Sequence, residues 1–278
     1  MIEILRVEGL SKNFTKKGLF QSKSHTVTAA KDVSFSLNQD EILAIAGQSG
    51  SGKSTIAKLI LRAIEPDSGK IFFDGTLVSK NSTGLKKLRM ECQMVYQDPY
   101  DAINPRMKIS DIISEPLEIH NIGNKESRAQ MVLDALKEVK LEPAHDIAKK
   151  YPHMLSGGQR QRVVIARALV VKPKVIIADE PVSMLDVSIR AEILELLTDI
   201  QKQNKIAFIY ITHDLATAKH FADRIIILYQ GKVVETGDVN SVLTDPRHPY
   251  TQALIDAISE PDPENLYRTK KIVWQNDQ

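Results

Sequence analysis

Three short stretches of this chain combine the residue types that phosphate chemistry requires. In the first, Gly47-Gln48-Ser49-Gly50-Ser51-Gly52-Lys53-Ser54 fits the pattern G-x-x-x-x-G-K-[ST], with Thr55 following. Glycines let the backbone curl until successive N–H groups point at phosphate oxygens. A helix that begins immediately afterwards adds unpaired N–H groups and a partial positive charge. Lys53 supplies a point charge for the β- and γ-phosphates of ATP, and the Ser54 hydroxyl is a ligand for Mg²⁺. In the second stretch, Lys174-Val175-Ile176-Ile177-Ala178-Asp179-Glu180 sets two carboxylates at the carboxyl end of an apolar strand, the edge where open α/β sheets bind ligands. Asp179 is the candidate to help hold Mg²⁺ through water. Glu180 is the candidate base, or water-positioning group, for attack on the γ-phosphate. In the third, Leu155-Ser156-Gly157-Gly158-Gln159 places a serine and two glycines ahead of a helix predicted over 159–171. Backbone N–H groups and a hydroxyl at a helix start form a second anion site.

These groups need a scaffold that delivers strand ends to one edge. Residues 2–46 read as strands and turns: Val33-Ser34-Phe35-Ser36-Leu37 alternates as a half-buried strand does, and the polar, basic segment 16–24 reads as a loop. A compact apolar strand over 42–46 runs into the glycine-rich turn, a helix is predicted over 55–63, Pro66-Asp67-Ser68-Gly69 reads as a turn, and 70–73 returns to strand. From about 98 to 170 strand patterns vanish and helices are predicted over 109–119, 126–139 and 163–170, a helical subdomain inserted between strands. Residues 174–236 alternate strand and helix as an α/β sheet does, and a short helix is predicted over 250–258 ahead of a tail rich in Pro, Glu and Asp.

The bulk properties leave room for a sizeable core and narrow the function classes. The 278 residues carry 37 basic and 35 acidic side chains, a net charge of +2 that gives no reason to expect a nucleic-acid partner. Cys92 is the one cysteine, so an intrachain disulfide is excluded. The first residues do not read as a secretory signal, and no apolar run approaches the roughly 18 residues needed to span a bilayer. Any membrane role therefore has to come through a partner.

With these motifs in this order, the chain resembles the ABC ATPase family along nearly its whole length. That resemblance implies an α/β P-loop NTPase with a RecA-like core, an N-terminal antiparallel β-subdomain and the inserted helical subdomain. The ABC domain would run over 1–245 and a C-terminal extension over 246–278. It also implies two nucleotides held between two ATPase domains, the phosphate loop of one facing Ser156, Gly157, Gly158 and Gln159 of the other. A lone chain would then hydrolyse ATP poorly, with ATP closing the dimer and hydrolysis releasing it. Further residues match family positions: Gln97 as the glutamine that senses Mg²⁺ and the attacking water, and His213 as the histidine that contacts the γ-phosphate. Ser183-Met184-Leu185-Asp186 matches the dimer-contact loop, with Met184 where the family more often has Ala, and Asp186 is included among the nucleotide-binding residues. Phe14 takes the place of the aromatic that stacks on adenine, with Phe20 as the competing candidate.

Within the family, Gln97-Asp98-Pro99 running on to Asn104-Pro105-Arg106, then Tyr151-Pro152-His153, Leu185-Asp186-Val187-Ser188 and His248-Pro249-Tyr250-Thr251 look like the oligopeptide, dipeptide and nickel import branch. That branch implies a second, different ATPase subunit, two membrane permeases and an extracytoplasmic solute-binding protein, with this chain on the cytoplasmic face of the membrane. One of its two ATPase types carries a C-terminal cysteine cluster, impossible here with one cysteine, and the chain looks like the other type. A soluble ABC ATPase unlinked to transport is the alternative. It usually carries two cassettes or a long coiled coil, and neither is present. An inactive ATP-binding subunit would need a damaged catalytic set, and a P-loop kinase would leave residues 155–159 unexplained.

Overall fold

A computed structural model describes residues 2–16, 25–80 and 83–259 of the chain. Phe20 and the tail from 260 onward lie outside the described residues. Ten strands are described: β1 (Glu3–Lys16), β2 (His25–Asn38), β3 (Ile42–Ala46), β4 (Ser68–Phe73), β5 (Thr76–Leu77), β6 (Cys92–Val95), β7 (Val175–Asp179), β8 (Ala207–Thr212), β9 (Arg224–Tyr229) and β10 (Lys232–Asp238). The helices are α1 (Lys53–Ile60), α2 (Thr83–Glu91), α3 (Pro99–Ala102), α4 (Ile109–Ile119), α5 (Lys125–Glu138), α6 (Ala144–Lys149), α7 (Gly157–Leu169), α8 (Val187–Asn204), α9 (Leu215–Phe221), α10 (Val239–Thr244) and α11 (Pro249–Ser259).

The strands form two sheets. The central one has the order β10-β9-β3-β8-β7-β6, with β9, β3, β8, β7 and β6 all parallel and β10 antiparallel at one edge. Strands β3, β7 and β8 are buried at every residue, as parallel strands covered on both faces must be. Successive side chains divide between two cores. Leu43, Ile45, Val175, Ile177, Ile209 and Ile211 pack with α1 and the second, antiparallel sheet (β2-β1-β4-β5). Ala44, Ala46, Ile176, Ala178, Phe208 and Tyr210 pack with α7, α8, α9 and the inserted helices. The period-2 alternation of a strand thus builds three layers from one sheet. The result is a RecA-like core with an antiparallel β-subdomain and an inserted helical subdomain, the fold class expected from the sequence.

Four details differ from the sequence expectations. The glycines of residues 155–159 do not precede a helix: α7 begins at Gly157, so both lie in its first turn, and a Cβ on Gly158 would come within 2.7 Å of Ile189 Cγ2. Where Gly158 packs closely against α8, the helix starts two residues before the predicted 159. Ser68 and Gly69 open β4 instead of forming a turn, and a Cβ at Gly69 would lie 2.6 Å from the Gly9 carbonyl of β1. Cys92-Gln93-Met94-Val95 forms β6, which carries no strand pattern in the sequence because it is an edge strand paired with β7 alone. The helix after the glycine-rich turn likewise begins earlier, at Lys53.

Burial sets where the fold is sensitive. Ile177→Ala, in the middle of β7 and fully buried, is expected to lower unfolding stability by about 2–5 kcal/mol in chemical denaturation. Ile119→Ala, at an α4 position 66% exposed, is expected to stay within about 0.5 kcal/mol of the parent.

Candidate functional site

The parallel strands β3, β7 and β8 end at one edge of the sheet, and the three segments that follow them meet there. The loop after β3 is curled by two glycines that nothing else could replace. Gly47 has φ 154° and a Cβ on it would sit 2.2 Å from the Leu228 carbonyl oxygen; Gly52 has φ 106° and would meet the Ala29 carbonyl oxygen at 2.0 Å. Lys53, buried inside the curl, donates from Nζ to the carbonyls of Gly47 (2.7 Å) and Gln48 (3.0 Å). Burial lowers its pKa, and the nearby carboxylates of Glu180 and Asp179 oppose that shift. The Ser51 Oγ is buried without a hydrogen-bond partner. Gly52 caps α1 without a side-chain acceptor, so the N–H groups of its first turn, which includes Ser54 and the half-buried Thr55, stay free to receive an anion. Ser49 and Gly50 form the exposed tip.

Asp179 ends β7 and accepts a hydrogen bond from the Ser54 hydroxyl at 3.1 Å. Burial raises its pKa above the ordinary aspartate value, more than Ser54 and Lys53 lower it. Glu180 follows in a left-handed conformation, φ 47°, with its N–H donating to the Ile211 carbonyl of β8 at 2.9 Å. That turn carries the carboxylate across to the other strand ends. Glu180 Oε2 accepts from the Gln97 side-chain amide at 3.2 Å and lies 3.0 Å from His213 Nδ1; Glu180 Oε1 lies 4.0 Å from Lys53 Nζ. Gln97 stands two residues past β6 and His213 one residue past β8, so all three side chains reach the junction because their strands end side by side.

The sequence candidates therefore fall into two groups. Residues 47–55, Gln97, Asp179, Glu180 and His213 come together at the sheet edge. Ser156–Gln159 and Asp186 do not join them: among the described residues no hydrogen bond or ion pair links the two groups. Ser156 caps α7, its Oγ accepting from the Gln159 N–H (3.3 Å) while Gln159 Oε1 accepts from the Ser156 N–H (3.1 Å), and the hydroxyl end is exposed. The place of a Gly157 Cβ lies 3.7 Å from Leu185 Cδ2, and the exposed Asp186 begins α8 without a side-chain cap. Phe14 pairs with Val27 on the β1–β2 ladder, 37% exposed, two residues from Ala29, whose carbonyl packs against Gly52. One ring contact lies between the segments that carry the two groups. Asp98 caps α3, and Tyr100 of α3 lies under the Arg160 guanidinium of α7 at 4.2 Å.

One residue at the loop was not foreseen as such. Tyr250 of α11 is fully buried, and its hydroxyl accepts the Gln48 N–H at 3.2 Å. The sequence marks His248-Pro249-Tyr250-Thr251 as a motif but holds no signal that a side chain 202 residues downstream meets the loop.

The oxygen pair of Ser54 and Asp179 suits a hard cation, and no group of three or more His, Cys, Asp or Glu side chains able to hold a metal exists among the described residues. Two protein oxygens with room for phosphate and water is the donor set of Mg²⁺. A buried, unpartnered Ser51 hydroxyl and a glycine cradle around Lys53 suit a polyphosphate.

Residues 30–183 match the family ABC transporter, and residues 234–277 match the family Oligopeptide/dipeptide transporter, C-terminal region. The chain is 44% identical over 262 residues to the "Probable peptide ABC transporter ATP-binding protein" of Sinorhizobium fredii, covering 94% of this chain and 74% of that protein. It is 42% identical over 276 residues to the glutathione import ATP-binding protein GsiA of Salmonella typhimurium, covering 99% of this chain and 44% of that one. The chain thus spans less than half the length of GsiA. Among solved structures, it is similar to the dimeric ATP-binding cassette MJ0796 bound to ADP and Pi, with TM-score 0.73, 30% identity, and coverage of 85% of this chain and 99% of that one. It is also similar to cbiO1 of Clostridium perfringens, part of the ABC transporter complex cbiONQ, with TM-score 0.75, 31% identity, and coverage of 88% and 92%. Matched over more than half its residues by the family, and alike to such relatives along nearly its whole length, the chain belongs to the ABC transporter family as one of its ATP-binding ATPase subunits.

Proposed function

We propose that this chain is the MgATP-hydrolysing subunit of an importer of short peptides, working with a second, unlike ATPase subunit, two permeases and an extracytoplasmic solute-binding protein. The observation that carries the catalytic part is the convergence of Gln97, His213 and Lys53 on the Glu180 carboxylate beside the Ser54–Asp179 pair. The substrate class rests on the C-terminal region shared with oligopeptide and dipeptide transporters and on relatives whose names give peptide and glutathione, itself a tripeptide, as their loads. No helix among the described residues is long and apolar enough to cross a membrane. The likeness to import ATP-binding proteins supports a place at the cytoplasmic face of the membrane, held there through the permeases.

In this mechanism the free N–H groups of residues 47–55 receive the phosphates of ATP, and Lys53 turns its ammonium from loop carbonyls toward phosphate oxygen. Phe14 offers its ring to the adenine. Glu180 accepts the proton of the water that attacks the γ-phosphorus as the bond to the β-phosphate oxygen breaks. Gln97 and His213 fix the orientation of that carboxylate, and each can exchange its bond for water or γ-phosphate. Ser54 and Asp179 would hold Mg²⁺, which would supply positive charge against that developing on the phosphates. Ser156 is exposed at the start of α7, with the half-buried Gly157, Gly158 and Gln159 in the first turn beside it, and no hydrogen bond joins it to the loop of its own chain. It serves the nucleotide of the partner ATPase, with Asp186 alongside at the shared face. Residues 246–278 then form the extension of the ABC domain at 1–245.

Glu180→Gln is expected to lower ATP turnover about 100- to 10,000-fold, while MgATP still drives the variant into a dimer detectable by light scattering. Turnover equal to the parent would overturn the mechanism. A variant that neither hydrolyses nor dimerises would show that an unlike partner completes the sites. Asp179→Asn tests the metal site independently. Since burial raises the Asp179 pKa, its charged form costs stability above that pKa, and the cost vanishes as pH falls through the ordinary value of 3.8. The variant is expected to melt higher than the parent at pH 8 without nucleotide, to converge with it near pH 4, and to bind ADP no more tightly with Mg²⁺ than without.

A further inference from the structure

The motif His248-Pro249-Tyr250 opens α11 in a way its residue types explain. His248 Nδ1 accepts the Tyr250 N–H at 3.1 Å, which satisfies an otherwise orphaned donor of the helix start. Pro249 takes the first helical position, where no N–H is needed. The segment ahead of it is fastened to β10, because the Glu235 carboxylate accepts the N–H groups of Arg247 (2.8 Å) and His248 (3.1 Å). Tyr250 is thereby driven into the core, its ring against Tyr229 with centroids 4.2 Å apart. Burial raises the pKa of its hydroxyl, which therefore stays neutral near pH 7.

That hydroxyl meets the phosphate loop at a particular point. Gln48 is held on both sides: its N–H donates to Tyr250 and its carbonyl accepts from Lys53. Three residues on, the Ser51 carbonyl accepts the Gly231 N–H from the β9–β10 turn at 2.9 Å. When Lys53 turns toward phosphate it leaves the Gln48 carbonyl to the local Ser51 N–H (3.1 Å), and the Tyr250 contact becomes the one hydrogen bond among the described residues that ties the Gln48 backbone to a residue outside the loop. The contact is therefore worth more with nucleotide than without it.

We propose that Tyr250 is a positioning residue for the nucleotide: through its hydroxyl, the C-terminal helix holds the phosphate loop in the shape that Lys53 leaves behind when it engages phosphate. The inference rests on the reading of residues 47–54 as the nucleotide loop. It gives the C-terminal region a role at the ATP site that is independent of any permease contact.

The test is a calorimetric titration of MgADP onto the purified full chain, its Tyr250→Phe variant and its Tyr229→Phe variant, with thermal melts of each in the absence of nucleotide. Tyr250→Phe keeps the ring and its packing and removes the acceptor alone. It is expected to bind MgADP roughly three- to tenfold more weakly. Its unliganded melting midpoint should stay close to the parent's, since Gln48 is half-buried and water can reach its N–H. Tyr229→Phe keeps the Gln48 contact and is expected to bind as the parent does. Equal affinities in the parent and Tyr250→Phe would overturn the proposal, as would an equal loss in Tyr229→Phe or a loss of affinity matched by a falling melting midpoint. A parent that fails to bind MgADP would instead remove the nucleotide reading beneath it.

Discussion

A loop that is to grip phosphate must turn its N–H groups inward and leave them unpaired, and an unpaired backbone is costly to hold still. In this chain the Lys53 ammonium solves the problem from within, by donating to the carbonyls of Gly47 and Gln48, while the first-turn N–H groups of α1 are left without a side-chain cap. Everything around the loop serves that curl. Gly47 and Gly52 let the Leu228 and Ala29 carbonyls approach where no side chain would fit. The Gly231 and Tyr250 contacts clamp it from outside. The lysine that shapes the loop is also the one whose charge the phosphates require, so the shape is held by a group that ligand binding redirects.

The same economy governs the acidic end of β7. Asp179 is buried, at an electrostatic cost that the Ser54 hydroxyl and the Lys53 charge offset only in part. Glu180 turns through a left-handed conformation into contact with Gln97 and His213. Three neighbouring parallel strands end at this point, and a parallel sheet is the one arrangement that brings all their carboxyl ends to a single edge. Under the proposed mechanism, a change at the γ-phosphate is felt at once by Gln97, and beyond it by Tyr100 and the α7 helix whose start carries Ser156. The stacking of Arg160 on Tyr100 gives that coupling a physical path inside one chain, while Ser156 itself addresses another.

Much of this was legible in the residues. The glycine-lysine-serine spacing determined the loop, the Ile-Ile-Ala-Asp-Glu run determined a buried strand ending in two carboxylates, and the change of period between 98 and 170 marked the helical insertion. All are local signals: each depends on neighbours a few positions away and on backbone geometry that glycine, β-branched residues or a helical repeat impose by themselves. By the same token, strand β6 was invisible, since an edge strand of Cys, Gln, Met and Val owes its form to β7 more than to its own residues. The early start of α7 was invisible too, since Ile189 of another helix is what makes Gly158 necessary.

What tertiary structure alone decided is which of the candidate residues meet. Lys53, Gln97, Glu180 and His213 converge because strand order in the sheet differs from strand order in the chain. Ser156 is kept apart from them because α7 packs on α8 instead of on the loop. Tyr250 reaches Gln48 across 202 residues because β9, β10 and α11 close over the side of the sheet where the loop emerges. A sequence carries residue types and short-range spacing, which are enough to name the chemistry. The distances between side chains far apart in the chain are set by the packing of a whole core, and no short stretch of residues contains them.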